Sequence, residues 1–456
     1  MIILLYIIIE ILMILLINRE VKHKLTKKIM YIYVFIHMNL LILSMFNPVG
    51  LYGVSSRTYL LWLINIMIFI LTLVIINKYR KEEIVEKETH NKIEERILNS
   101  KTLLYGQIIL LVVLSFYALK FYLLTRNIAD PALIRMVRFE KLFGSYAENI
   151  IYTYFIGFLY KTMTIITSIL LVNKKIKNPI TIIGVINIFL FTLIGYGRMH
   201  LYEFVLFIIF AYILNYEKNK DVDKEIQRKN IRFIITVFAI IFGIALISTA
   251  IRLGISIFNF KKIYDMVFGE QVKQIIIYFT GGFRALDNFL INGFSGIPKY
   301  TFGRATFAGI EELLSIFLLI FGKEYSTFNS IVGELTQSYI VIGENIYFNA
   351  FYTCVMNYIS DFGYFGVIIY PILHGTFLFF SIKNENNKKN LISQILLIFV
   401  LSNTVSTIYR WNYQFGSNTF ILITYIIINT IQKRGKHGKK IYKENIFKKY
   451  FQKETN

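Results

Sequence analysis

Nine arginines stand apart from the other basic residues of this 456-residue chain. They are Arg57, Arg126, Arg135, Arg138, Arg198, Arg252, Arg284, Arg304 and Arg410, and all of them fall between apolar runs. A guanidinium is a planar fork that holds a phosphate or carboxylate at two points, whereas an ammonium is a single point charge. The chemistry on offer is recognition of an anion. Four stretches concentrate it. In Gly195-Tyr196-Gly197-Arg198-Met199-His200 a short turn puts Arg198 and His200 at a helix N-terminus, where free N–H groups and the helix dipole attract anions. Arg135 and Arg138 share a helical face at i, i+3. In Thr280-Gly281-Gly282-Phe283-Arg284-Ala285-Leu286-Asp287-Asn288 two glycines let backbone come close to a ligand; Arg304 also follows a glycine. The fourth stretch runs from Gly343-Glu344-Asn345 through Asn349 and Tyr352 to Asp361-Phe362-Gly363-Tyr364-Phe365-Gly366. Its acids have the chemistry to accept a proton from a hydroxyl.

Each stretch also has a plain structural explanation. Arg198 can pair with Glu203, one turn into the next span, and Arg284 with Asp287. Arg135 and Arg138 fit the wet face of an amphipathic helix. Asp361 sits where the N-cap or first turn of a late span is expected. Ionisable residues inside apolar runs are suspects by position: Glu10, Lys120, Lys161, Glu203 and His374. Lys120 can snorkel, Glu10 lies at the right depth to pair with Lys161, and His374 reads as a packed histidine.

The elements that position these residues follow from composition. Hydrophobic residues make up 55% of the chain and charged residues 17%, against about 25% charged in ordinary soluble domains. No polar stretch is long enough for a separate soluble domain. The expectation is an all-α, polytopic membrane protein with about eleven spans, within a range of ten to thirteen. The spans are placed near 1–18, 29–46, 58–77, 102–125, 151–172, 179–195, 199–216, 233–251, 361–382, 391–408 and 417–431. The first lacks a basic leader and a small-residue cleavage site, so it reads as an uncleaved helix. One polytopic domain covers 1–431, with a large external loop at about 252–360 before the last three spans. Residues 305–322 in that loop are apolar yet carry Glu311 and Glu312; they fit an interfacial helix, a re-entrant hairpin, or a span partnered near 327–342.

Charge sets the orientation. Of the 50 Lys and Arg residues, 33 fall on alternate connections that include the basic tail 432–456, and 15 on the others. By the positive-inside rule the first set is cytoplasmic, which puts the N-terminus outside and the C-terminus inside. Only six of the 33 are Arg, but nine of the 15 are. Orientation needs charge of either kind, so an outer surface poor in basic residues yet rich in Arg points to a bound anion. The formal charge of +22 comes mostly from inner Lys and argues for lipid contact rather than nucleic acid. The single cysteine, Cys354, excludes an intrachain disulfide and a cysteine metal cluster. The inner connections hold no phosphate-cradling glycine loop and no metal-ligand cluster, so ATP chemistry, metals and cofactors are not expected.

The fourth stretch, NAFYT followed by DFGYFG at the entry to a late span, resembles the O-antigen polymerase (Wzy-type) family of oligosaccharide repeat-unit polymerases. The short GYGR turn, the aromatic-GG-x-R segment and the one large outer loop before the last three spans match as well. Tyr352 is inserted relative to many relatives, which shifts the register at Asn349. The resemblance implies a glycosyltransferase of the bacterial cytoplasmic membrane. It would move a glycan from undecaprenyl diphosphate to a sugar hydroxyl of the next lipid-linked repeat unit, alongside a flippase and a chain-length regulator. By motif, the family's functional arginines fall on Arg198, Arg284 and Arg304. With the residue reading, the expected catalytic set is Arg284 with the candidate acids Asp287, Glu344 and Asp361, and the expected substrate-binding set is Arg135, Arg138, Arg198, His200, Arg304, Asn345, Asn349, Tyr352 and Arg410. A sugar diphosphate is already activated, and Arg clamps can stabilise the departing diphosphate without a metal.

Four rival classes fit less well. A flippase would want pathway charges at the midplane and internal repeats. An O-antigen ligase performs a sister reaction on another acceptor. Glycosyltransferases that use polyprenyl monophosphate often carry an acid in the first outer connection, and Asn47 to Arg57 has none. A scaffold leaves the Arg bias unexplained.

Overall fold

The computed structural model describes residues 2–79, 100–128, 130–173, 175, 177–195, 199–218, 272–293, 300–337, 339–348, 352–388 and 390–431, with scattered single positions between 232 and 269. The expected eighth span, Arg198, Arg252, Asn349, the side chain of Arg135 and the tail 432–456 lie outside the described residues.

The chain is mostly helical. In order, the helices are α1 (Ile2–Glu20), α2 (Lys24–Phe46), α3 (Ser56–Lys78), α4 (Lys101–Thr125) and α5 (Pro131–Glu140). Next come α6 (Tyr146–Val172, with a π-helical stretch at Ile151–Ile156), α7 (Pro179–Gly195), α8 (Met199–Lys218) and α9 (Val272–Asn292). Then follow α10 (Ala308–Ile320), α11 (Phe328–Gln337), strands β1 (Ile340–Gly343) and β2 (Ile346–Phe348), and α12 (Cys354–Phe362). The last are α13 (Gly366–Lys388), α14 (Leu391–Ser406) and α15 (Gly416–Ile431). Among the described residues, six helical stretches are long and apolar enough to cross a membrane: α1, α2, α3, α4, α6 and the near-continuous Cys354–Asn386. Helices α7, α8, α14 and α15 are apolar but shorter. These ten coincide with ten of the eleven expected spans.

Side-chain chemistry explains where the helices start and how closely they pack. Ser100 accepts from the N–H of Leu103, and Asn390 forms a reciprocal capping box with Ser393, relieving N–H groups that have no partner within the helix. At Gly184 an added Cβ would lie 2.0 Å from Thr167 Oγ1, so α7 crosses α6 at a distance that only glycine allows. Outward-facing Ile, Leu and Phe along α1 and α4 stay exposed, as a helix surface in hydrocarbon would be. The shared core contains Trp62, Phe69, Tyr33 and Met38. His374 packs there as expected, 5.1 Å from the Phe69 ring and bonded to Thr404.

The ends of the helices sort into two sets. At one end Tyr52 N–H donates to Ile342 O, Ser55 binds Asp287, Trp411 donates to Thr306, and Asn329 donates to Gln414. At the other, Lys78 lies near Glu20 and Asn386 near His23. Every one of these contacts joins connections that the charge count assigned to the same side.

The segment before α12 is more ordered than a loop. Helix α10 has 13 residues, about 20 Å of rise, short of the ~30 Å hydrocarbon core. Helix α11 has 10 residues. Neither alone matches that thickness. The short antiparallel hairpin β1–β2 departs from a purely helical expectation: Ile340 faces Phe348 and Val341 faces Tyr347, and Leu51 bridges to Gly343 on the free edge of β1. The ninth span begins earlier than expected, with a break at Gly363 (φ 57°).

Candidate functional site

The fourth stretch turns out to be scaffolding. Asp361 is not an N-cap; it lies one residue before the end of α12. It is fully buried, and its carboxylate accepts from Ala305 N (2.9 Å), Thr306 N (2.9 Å), the Tyr370 hydroxyl (2.8 Å) and the Thr301 hydroxyl. Its carboxylate holds the 300–307 loop, so a role as proton acceptor would have to compete with these four donors. The loop needs holding: Tyr300 (φ 58°), Phe302 (φ 50°) and Gly303 (φ 100°) are all left-handed, a conformation that disfavours side chains such as the first two. Glu344 and Asn345 form the exposed turn of the hairpin, and Asn345 has φ 54°. Asparagine suits that backbone, which accounts for it without a ligand. Tyr352 is buried and burial pushes its hydroxyl up to about 12.

Arg284 and Asp287 do not pair with each other; both turn toward the α2–α3 connection. Arg284 is 5% exposed. Its Nε donates to Tyr52 O (3.0 Å), Nη1 to the Ser44 hydroxyl and Thr280 O (3.1 Å), and Nη2 to Ser44 O (2.9 Å). Four of the five N–H donors of a guanidinium are thus used on neutral protein oxygens. One donor is left over, so the expected two-point grip on a diphosphate would have to displace an existing bond. Burial lowers this guanidinium from its ordinary value, and Asp287 partly offsets that. Asp287 accepts from Ser55 N (3.1 Å) and from the hydroxyls of Ser55 and Thr58. Sequence reasoning missed Ser44, Ser55 and Thr58 because their partners lie more than two hundred residues away.

Arg304 is placed differently. Its Nε binds Glu311 and its Nη2 donates to Ser326 O (3.1 Å), while the side chain stays 39% exposed. The Glu311 carboxylate holds this guanidinium above its ordinary value. Phe302 (76% exposed), Phe307 (47%) and Ile310 (43%) surround it in sequence, so a cation stands at the edge of an apolar surface. Helix α10 is inverted: Glu311 and Glu312 face protein, and Ile310, Leu314 and Phe317 face out. Arg410 lies on the 409–416 connection, with Nε on Asn412 (2.8 Å) and its guanidinium 4.7 Å from the Phe415 ring. The two arginine-bearing loops are tied by Trp411 Nε1 to Thr306 O (2.7 Å) and by Asn357, which donates to Ala305 O and Gln414 Oε1, each at 2.9 Å. Arg57 stacks over Tyr364 at 4.9 Å.

A second charged group sits at the same end of the bundle. Lys161 donates to Glu203 Oε1 (2.9 Å) and Asn418 Oδ1 (2.7 Å). Lys161 therefore does not pair with Glu10, which instead accepts from Asn39 at 3.2 Å. Glu203, one helical turn beyond His200, presents Oε2 to His200 Nδ1 at 3.8 Å. The imidazole is edge-on to Phe191 and Tyr160, and Arg138 acts on it electrostatically. Lys120 pairs with Glu148 at 3.3 Å, together with the Tyr117 hydroxyl, in place of the expected snorkelling.

A continuous chain of contacts joins the two groups. Arg304 binds Glu311; the adjacent Glu312 accepts from Gly416 N at the start of α15; and Asn418, in the first turn of that helix, accepts from Lys161. Among the described residues no cluster of His, Cys, Asp and Glu is arranged to hold a metal ion. Compared with known proteins, the chain matches no family model, no curated protein and no solved structure.

Proposed function

We propose that this chain is a polysaccharide repeat-unit polymerase of the bacterial cytoplasmic membrane. It transfers a glycan from undecaprenyl diphosphate to a sugar hydroxyl of another lipid-linked repeat unit on the outer face. The observation that carries the reading is Arg304, a partly exposed cation set among exposed Phe302, Phe307 and Ile310. A charged fork beside an apolar surface fits a ligand with an anionic head and a hydrocarbon tail, which describes a polyprenyl diphosphate. Arg410, on the loop lashed to it, supplies a second guanidinium. Together they would stabilise the negative charge that grows on the departing diphosphate.

In this reading the N-terminus is outside, the C-terminus is cytoplasmic, and the α9–α12 segment with the 409–416 connection forms the outer cap. A flippase that delivers the units and a chain-length regulator are its functional partners.

The test is deletion of the gene followed by sizing of the surface polysaccharide. The expected result is single repeat units in place of a ladder. An unchanged ladder, or units trapped inside the cell, overturns the reading.

A further inference from the structure

Glycosyl transfer to a hydroxyl needs somewhere for the hydroxyl proton to go. Among the described residues, five carboxylates at the cap end are committed to other groups. Asp361 has four donors and Asp287 three. Glu311 holds Arg304, Tyr325 and Phe328 N, Glu312 holds Asn329 and Gly416 N, and Glu148 holds Tyr117, Lys120 and Gly144 N. Glu344 stands on a hairpin tip, held by nothing that would aim it.

His200 is different. It is the second residue of α8, its side chain is 25% exposed, and Nδ1 is buried without a hydrogen bond, facing Glu203 Oε2. The ring edge carrying Nε2 lies beside Gly195, where an added Cβ would meet Nε2 at 3.1 Å. Glu203 is itself fixed by Lys161, and Lys161 by Asn418. A carboxylate behind one imidazole nitrogen of a side chain that stays 25% exposed is the arrangement that orients a histidine as a base.

We propose that His200 is the catalytic proton acceptor of this chain and that Glu203 is its positioning residue; this rests on the polymerase reading. The acceptor sugar's hydroxyl oxygen bonds to the anomeric carbon of the donor glycan as its proton passes to Nε2. The bond from that carbon to the diphosphate oxygen breaks, and polyprenyl diphosphate leaves with the electron pair. The imidazolium then returns its proton to water. Among the described residues, the groups around the ring are Glu203 on α8, Lys161 and Tyr160 on α6, Arg138 on α5 and Phe191 on α7.

The experiment uses full-length protein reconstituted in liposomes with lipid-linked repeat units extracted from cells that lack the gene. For wild type the elongation rate should fall toward acid pH, because only neutral imidazole accepts a proton. Glu203→Gln should move that acid limb to lower pH, since it removes the charge that favours imidazolium. His200→Gln should abolish the limb and lower kcat about 100-fold or more. His200→Gly should regain rate with added imidazole, a rescue that a packing role would not give. An intact acid limb in His200→Gln, or folded His200→Gly that imidazole fails to revive, overturns the assignment while leaving the polymerase reading in place. Wild type that elongates nothing overturns that reading and the assignment with it.

Discussion

Two charged regions at the same end of the bundle contrast in how their polar groups are used. On the α9–α13 side, Asp361, Asp287 and Arg284 are saturated by hydroxyls, backbone N–H groups and carbonyls. On the α6–α8 side, His200 keeps a buried nitrogen without a hydrogen bond and an exposed flank, beside an ion pair with few partners. Saturated groups hold shape, because any new ligand must first displace a bond of equal worth. Open ones retain capacity for a substrate. The contrast teaches that residue type nominated the first region, while unsatisfied valence singles out the second.

The largest expected effect comes from breaking the saturated side. Asp361→Ala leaves two backbone N–H groups and the Tyr370 hydroxyl without an acceptor in a buried site, while the Thr301 hydroxyl keeps Ser360 O. At about 1–3 kcal/mol for each buried donor left unmet, the loss should reach ~4 kcal/mol or more. Thermal unfolding in detergent should show a large drop in midpoint, together with loss of ordered protein on size-exclusion chromatography. A small drop would remove Asp361 from the saturated class.

Arg284→Lys comes next. It preserves charge but cannot reach Tyr52 O and both Ser44 oxygens from one ammonium. A destabilisation of about 2–3 kcal/mol is expected, with whatever activity survives showing an unchanged KM. A raised KM with normal stability would transfer Arg284 to the open class and restore its role as an anion clamp.

The smallest effect belongs to Glu312→Gln. Burial raises the Glu312 carboxyl above its ordinary value of 4.5, so the folded protein takes up this proton more readily than the unfolded chain does. Its contribution to stability is therefore full below the ordinary value and is lost as pH rises through the folded value. The amide isostere removes that dependence and should alter stability at neutral pH by less than ~1 kcal/mol. Unfolding midpoints compared between acid and neutral pH check the sign: wild type should lose more on raising pH than the variant.

Much of the fold was legible in the sequence because a membrane span needs only a long apolar run, and ten such runs became ten helices. The hairpin was not, because Ile340, Ile342, Ile346 and Phe348 alternate over too few residues to stand out from an aromatic-rich loop. Helix α10 read ambiguously because its acids point into the protein, the reverse of a surface helix in water. The site was legible in parts. His200 and Glu203 stand at i, i+3 and so share a face, but the pairing of Glu203 with Lys161 joins residues 42 apart and leaves no mark in local spacing; the expected Arg198 partner lies outside the described residues. Arg284 misled because a guanidinium that binds backbone carbonyls looks, in sequence, the same as one that awaits a phosphate.

The staple from Arg284 to Tyr52 joins residues 232 apart, and that separation has a meaning in time. Translation proceeds at about 5–20 residues per second, so the α2–α3 connection waits roughly 12–46 s before its guanidinium partner is made. During that interval the α2–α3 connection lacks the side chains that bind it in the folded chain. Completion of the cap is thus a late event in the life of each new chain, and a ribosome that stalls before α9 leaves behind an open-ended bundle for the cell's proteases.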